Sequence, residues 1–305
     1  MRHAFIVASC LLFSCAAAPA ERFGICDASA AAFVAPDSWW VADDEDNILR
    51  RFDSSGTVAT AELDLTEFLQ PTKATREVDL EAVARIGETL YWIGSHGSSG
   101  SGKARPSRHR LFATRLTDKG SLIPVGRPFR RLIQTLQADP RYASLGLDGT
   151  VETEALTSWS GGALLIGFRQ PIADGLALLV PLENPHELLI DGSAPRIGDP
   201  VRLDLGGRTV RSMARLDEGR WLLTAGEVEG QADWIGSWDG VVGHEVKPLG
   251  ELEINAEAIM VNRSGRQVWL LSDDGRRTIG GQDCKEIEDP GQRRFRVRNY
   301  PWPGK

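Results

Sequence analysis

The sequence predicts an all-β fold, a single β-propeller of about five four-stranded blades with one short helical insertion. Two observations carry the expectation. One strand pattern returns five times along the chain, and the second strand of each return is almost continuously apolar, as expected of sheets covered on both faces.

The second strands are Trp39-Trp40-Val41-Ala42, Leu90-Tyr91-Trp92-Ile93, Ala163-Leu164-Leu165-Ile166, Trp221-Leu222-Leu223-Thr224 and Val268-Trp269-Leu270-Leu271. All are rich in β-formers and bounded by Gly, Asp or Ser. Each is followed by a further candidate strand, at residues 48–52, 110–116, 176–182, 233–238 and 294–300. The residues just after the second strands are Asp43, Gly94, Gly167, Ala225 and Ser272, at intervals of 51, 73, 58 and 47 residues. Those are blade-sized intervals with insertions. A four-stranded unit of this length cannot bury both faces alone, whereas a ring of them buries each against its neighbours. A six-bladed ring or a two-sheet sandwich stays open, with the even return of the pattern favouring the ring.

The largest insertion, residues 126–150, breaks the β pattern. Phe129, Leu132, Ile133 and Leu136 have helical spacing, Pro128 suits a first turn and Pro140 stops the run. The last repeat stops after its third strand, so the segment around Arg22 to Ile25, upstream of the first repeat, is expected to supply the missing outer strand.

Residues 1–20 read as a secretory signal, leaving one propeller domain over 21–305. Arg2 and His3 precede an apolar run, and Ala18-Pro19-Ala20 offers a small-x-small cleavage site. The competing reading cuts before Cys15, where Leu12-Phe13-Ser14-Cys15 approximates a lipoprotein box. The cut after Ala20 predicts a periplasmic or secreted protein, and the alternative cut a lipoprotein anchored through Cys15. No later stretch reaches the ~18 apolar residues of a transmembrane helix. Cleavage after Ala20 leaves Cys26 and Cys284, expected as one disulfide in an oxidising compartment.

The 305 residues are 42% hydrophobic and 25% charged, an ordinary globular composition that argues against disorder. A formal net charge of −7 argues against nucleic acid as a partner, because phosphate binding needs a surplus of Lys and Arg. Lys103, Arg105, Arg108, Arg110 and Arg115 form a local basic run, read either as an anion-binding patch or as a solvated loop.

Familiar catalytic motifs fail. Gly97-Ser98-Ser99-Gly100-Ser101-Gly102-Lys103 imitates a phosphate-binding loop, but Ala104 stands where a magnesium-binding hydroxyl is needed and Pro106 interrupts the helix. There is no Gly-x-Ser-x-Gly elbow and no zinc-site histidine spacing.

One constellation rises above this background. Glu-Ala recurs at Glu81-Ala82, Glu154-Ala155 and Glu257-Ala258, each at the start of a predicted innermost strand, while the other repeats place Ala30 and Ser212 near this position. In a propeller the innermost strand lines the channel, and its start shares a face with the loop after the second strand. The three carboxylates should therefore meet Asp43, Asp44, His96, Arg169, Asp273 and Asp274 at one mouth, with Arg211 nearby. Converging carboxylates repel, and need a cation, an arginine or a proton. Oxygen-rich convergence suits calcium, so Glu81, Glu154 and Glu257 are candidate calcium ligands. The plain alternative has the glutamates bonding strand amides and the aspartates building turns.

These residues resemble a bacterial family known as domain of unknown function 3616. The resemblance rests on Val41-Ala42-Asp43-Asp44-Glu45-Asp46-Asn47, Asp79-Leu80-Glu81-Ala82, Tyr91-Trp92-Ile93-Gly94-Ser95-His96-Gly97 and Leu165-Ile166-Gly167-Phe168-Arg169. It extends to Leu178-Leu179-Val180-Pro181-Leu182, Gly198-Asp199-Pro200, Leu205-Gly206-Gly207-Arg208 and Leu271-Ser272-Asp273-Asp274-Gly275, covering nearly the whole mature chain. It implies a propeller-like domain and brings no catalytic residues. Ala82 stands where the family pattern has Gly.

Two functions compete. One is a monomeric binding or scaffolding module whose acidic mouth, with or without calcium, takes a small polar or cationic ligand or another envelope protein. The other is a calcium-dependent hydrolase of phosphate or carboxylic esters, with Glu or His96 handling protons.

Overall fold

A computed structural model describes residues 19–71, 76–226, 232–264 and 266–304. Its first strand, β1 (Ala20–Phe23), leads into a blade of β2 (Ala30–Ala35), β3 (Ser38–Ala42), β4 (Ile48–Asp53) and β5 (Ala61–Asp64). The second blade is β6 (Leu80–Ile86), β7 (Thr89–Gly94), β8 (Leu111–Leu116) and β9 (Leu122–Phe129). The third is β10 (Glu152–Ser158), β11 (Leu164–Ala173), β12 (Leu176–Leu182) and β13 (Val201–Leu203). The fourth is β14 (Thr209–Asp217), β15 (Arg220–Gly226), β16 (Trp234–Trp238) and β17 (Lys247–Glu251). The fifth takes β18 (Ala256–Asn262), β19 (Gln267–Ser272), a small hairpin of β20 (Thr278–Ile279) and β21 (Gln282–Asp283), and β22 (Arg294–Tyr300).

Each blade is an antiparallel four-stranded sheet, and β1 completes the fifth by pairing with β22, from Ala20 opposite Val297 to Phe23 opposite Arg294. The protein is thus a five-bladed propeller closed by strands from both ends of the chain. The outer strand expected over Arg22 to Ile25 is found two residues earlier, at Ala20–Phe23. Inner strands β2, β6, β10, β14 and β18 touch in cyclic order around the channel.

The core is a ring of blade interfaces. Trp40, Leu49, Leu80 and Trp92 pack between the first two blades, Ile93, Leu156, Ile166 and Leu178 between the second and third, and Val210, Trp221 and Trp238 against Leu165 and Leu179 between the third and fourth. Ile235 and Leu222 meet Leu270 between the fourth and fifth. At the seam, Trp39 stacks on Phe52 at 4.9 Å while Phe295 meets both edge-on. Burial on both faces explains why every residue of β3 is buried and why the sequence there does not alternate.

Cys26 and Cys284 form a disulfide with Cα atoms 5.8 Å apart, linking the segment after β1 to the loop before β22. The pairing expected from the cysteine count is present.

Three short helices replace the one expected: α1 (Thr66–Leu69), α2 (Leu132–Gln137) and α3 (Pro185–Leu189). α1 and α3 are single turns, too short to leave a periodic signature. α2 buries Leu132, Ile133 and Leu136 between the second and third blades, as its spacing suggests. It starts later than Pro128, because Phe129 pairs with Leu111 and belongs to β9. Pro140 opens a 3₁₀ turn whose Arg141 amide is capped by Asp139.

Gly126 sits in the irregularity of that ladder at φ +68°, where a Cβ would overlap the Leu189 carbonyl oxygen of α3. Gly126→Ala should therefore lower stability by about 2 kcal/mol or more, combining left-handed strain with a backbone clash. Chemical denaturation checks this, and an unchanged midpoint would refute it.

The segment read as a signal lies almost wholly outside the described residues, Cys15 included. Among those described, no helix is long and apolar enough to cross a membrane.

Candidate functional site

The inner strands enter the blades through one repeated irregularity. In the second, third, fourth and fifth blades the register between first and second strands slips at Glu81, Glu154, Arg211 and Glu257 respectively. Each is the extra residue of a β-bulge, a device that re-aims a side chain out of the alternation of the sheet. The recurring Glu-Ala thus marks bulges. In the fourth blade the bulged residue is Arg211 instead of the expected Ser212, because the slip falls between Val210 and Ser212. In the first blade the pairing starts at Ala30, so Ser29 precedes it, with its hydroxyl donating to the Leu80 carbonyl at 2.6 Å.

The bulged side chains share one electrostatic environment. Arg169 donates to Glu154 at 2.7 Å, and Arg211 bridges Glu154, at 3.4 Å, to Glu257. Arg211 also reaches Asn255, whose amide donates to Asp273 at 3.1 Å. Glu81 makes no hydrogen bond or ion pair with any described residue. Burial, then the charges of Asp79, Glu154, Asp44 and Glu257, hold its carboxyl well above the usual range.

The first blade contributes a second group. Asp27, Asp43 and Asp44 each bring a carboxylate oxygen to within 4.8 Å of the others. Asp43 is 5% exposed and accepts from the Glu45 amide at 2.9 Å, and burial followed by Asp46 raises it to about 7. Asp44 is pushed well up by burial and then by Asp43, and its Oδ1 is buried without a hydrogen-bond partner. Asp27 rises to about 11 through burial and a hydrogen bond with Asp273, which is itself held down by that bond and by the Gly275 amide, against the opposing effect of burial. Glu257 rises to about 8, burial outweighing Arg211.

The mouth therefore gathers the carboxylates of Asp27, Asp43, Asp44, Asp79, Glu81, Glu154, Glu257 and Asp273 against the guanidiniums of Arg108, Arg169 and Arg211. Such an excess of buried negative charge must be met by protons or by a cation. Oxygen donors in irregular geometry favour a hard ion such as calcium over zinc.

Two expected members are turned elsewhere. Asp274 is bound by Arg296 at 2.6 Å, tying the loop after β19 to β22. His96 is 3% exposed and donates from Nδ1 to the Gly94 carbonyl at 2.8 Å, with Nε2 unpartnered. Burial, then His109 and Arg110, lower its pKa to about 3, so the ring is neutral, and it lies 5.3 Å from the His109 ring of the second blade. A left-handed φ of 55° sets that direction.

The basic run is likewise neither patch nor solvated loop where Arg108 and Arg110 are concerned. Arg108 pairs with Asp79 at 2.7 Å and Glu77 at 3.0 Å, and buried Arg110 donates to the carbonyls of Leu69, Gln70, Pro106 and His109. Sequence reasoning missed Asp27, Asp79 and Asn255. Asp79 and Asn255 each stand just before a strand start and two residues before a bulge glutamate, a position signal that only the bulge register makes readable, and Asp27 lies three residues before β2.

Residues 27–119 match a family model, Protein of unknown function (DUF3616). The match begins at Asp27 and runs through the first blade and three strands of the second. The matched residues include the aspartate group, Asp79 and Glu81, and stop short of Glu154, Arg211 and Glu257, so the motifs quoted beyond residue 119 lie outside the match. No curated protein matches the chain. Among solved structures, the chain is similar to Myxococcus xanthus glutaminyl cyclase, with a TM-score of 0.51 and 15% identity over 92% of this chain and 94% of that one. The PQQ-bound aldose sugar dehydrogenase of Streptomyces coelicolor gives a TM-score of 0.48 and 13% identity over 92% and 96%. At 15% identity the likeness to the cyclase is one of fold alone.

Proposed function

We propose that the protein is an exported binding module whose acidic mouth holds a calcium ion and uses it to engage a small polar ligand. The observation that carries this is the convergence of Asp27, Asp43 and Asp44, ligand oxygens within 4.8 Å, with Asp44 Oδ1 buried and unpartnered. These three could supply the first ligands, and Glu81, which makes no hydrogen bond or ion pair with a described residue and feels the charge of Asp44, is a further candidate. Glu154 and Glu257, weighed from sequence as ligands, are engaged by Arg211 and serve this reading better as its anchors. Export is supported by the signal-like N-terminus and by the disulfide.

Calorimetry on protein stripped with a chelator tests the reading. Calcium should bind saturably, magnesium more weakly, and Asp44→Asn should lower calcium affinity at least tenfold, while Glu45→Gln, at an exposed neighbour, leaves it unchanged. Equal calcium affinity in Asp44→Asn would remove the site. A panel of phosphate and carboxylic esters separates binding from hydrolysis, since turnover abolished by the chelator would replace the binding module with a calcium-dependent hydrolase.

A further inference from the structure

The channel has a second mouth, and its chemistry is opposite to the first. Midway, small residues such as Ser29, Ala30, Ala82, Ser212 and Ala258 narrow the channel to a space of about 10 Å³, room for no more than a water. Beyond it, where all five inner strands end, opens a cavity of about 460 Å³, within the range of small-molecule sites.

Its walls are mixed, the apolar part coming from Phe33, Val83, Leu156, Met213, Ile259 and Val261 of successive blades. Its charged lining is entirely cationic: Arg85, Arg215 and Arg263, with no Asp or Glu. None of the three makes an ion pair with a described residue. Arg85 donates to the Phe33 and Val34 carbonyls, Arg215 lies over the Trp221 ring at 5.4 Å, and Arg263 reaches only the Arg215 carbonyl at 3.4 Å. The acids that act on them are Glu88, Asp217 and Glu218, and Asp217 is already held by Arg220 at 2.6 Å. Burial and then Arg215 lower the pKa of Arg263, outweighing the opposing charges of Asp217 and Glu218.

We infer that this mouth is a second binding site, independent of the acidic one, for a small amphiphilic carboxylate. The head binds Arg263, Arg215 and Arg85, where a guanidinium offers two parallel donors to a carboxylate. The hydrocarbon body lies against the apolar strand ends and leaves water.

Calorimetry with octanoate on the chelator-treated protein tests the inference. Octanoate should bind saturably, with acetate and octyltrimethylammonium at least tenfold weaker. The double variant Arg85→Gln, Arg263→Gln should lose at least tenfold in octanoate affinity, and Arg263→Gln alone, which gives up one long hydrogen bond, should lose part of it with the fold intact. Asp44→Asn and added calcium should change nothing, which separates this site from the acidic mouth. Absence of saturable octanoate binding, equal binding of octyltrimethylammonium or acetate, or an affinity unchanged in both arginine variants would overturn it.

Discussion

Cys26→Ser should lower the melting temperature by roughly 10 °C in oxidising buffer and leave it unchanged in reducing buffer. The bond closes a loop of 258 residues, nearly the whole propeller, and in the chain-entropy model a closure of that length stabilises by about 5 kcal/mol, an upper value that unfolded-state structure reduces. The position adds to the length. A ring of blades is weakest where its ends meet, and here β1 is held to β22 by a ladder of only four pairs. The disulfide acts beside that ladder, in a small buried cluster with Ile279 and Ile287. Arg22 assists by donating to the Ser54 carbonyl at 2.9 Å across the seam, and Asp274 by its pair with Arg296. With the bond gone, β1 should detach before the ring opens, so hydrogen exchange should quicken first in β1 and β22. Two free thiols on the denatured, unreduced protein, or equal melting of wild type and variant in oxidising buffer, would contradict the account.

The calcium-free protein should lose stability as pH rises from 5 to 9, contrary to the trend that ion-paired carboxylates produce. The sign follows from the mouth. Asp43 at about 7, Glu257 at about 8 and Asp27 at about 11 all lie above the values near 4 they take in the unfolded chain. Carboxyls with raised folded pKa values stabilise fully below the unfolded pKa, and that contribution disappears as pH climbs through the folded values. Each tenfold weakening of a carboxyl's acidity on folding corresponds to ~1.4 kcal/mol, and because these groups repel one another their effects do not add, so a net loss of a few kcal/mol is expected. Calcium should reverse the slope, because it binds the deprotonated carboxylates and stabilises more at pH 9 than at pH 5. Arg211→Met should steepen the calcium-free loss by leaving Glu154 and Glu257 without their shared cation. Melting curves at pH 5, 7 and 9, with chelator and with calcium, check all three statements. A calcium-free melting temperature that rises over this range would refute the electrostatic description of the mouth.

Much of the fold was legible because its signals are local. The apolar second strands, the turn residues bounding them and the blade-sized spacing all follow from the burial of a strand on both faces, which a short window of sequence records. The returning Glu-Ala pointed to the right strand starts for the same reason, and the two cysteines beyond residue 20 left one pairing to form.

The site was legible only in part. The aspartate group joins Asp27 to Asp43 and Asp44, and Asp27 to Asp273, across the seam of the ring, and no local pattern encodes which ends meet. The aim of each side chain depended on one-residue bulges: they turned Arg211 instead of Ser212 into the ring of glutamates, and backbone direction at His96 took that histidine away from it. The sequence by itself thus determined a repeating all-β chain, favoured its closure into a ring, and set acidic residues at the strand starts. Tertiary structure alone decided which carboxylates are matched by arginine and which are left for a proton or a cation, because buried charge is settled by contacts among five blades and not by any one of them.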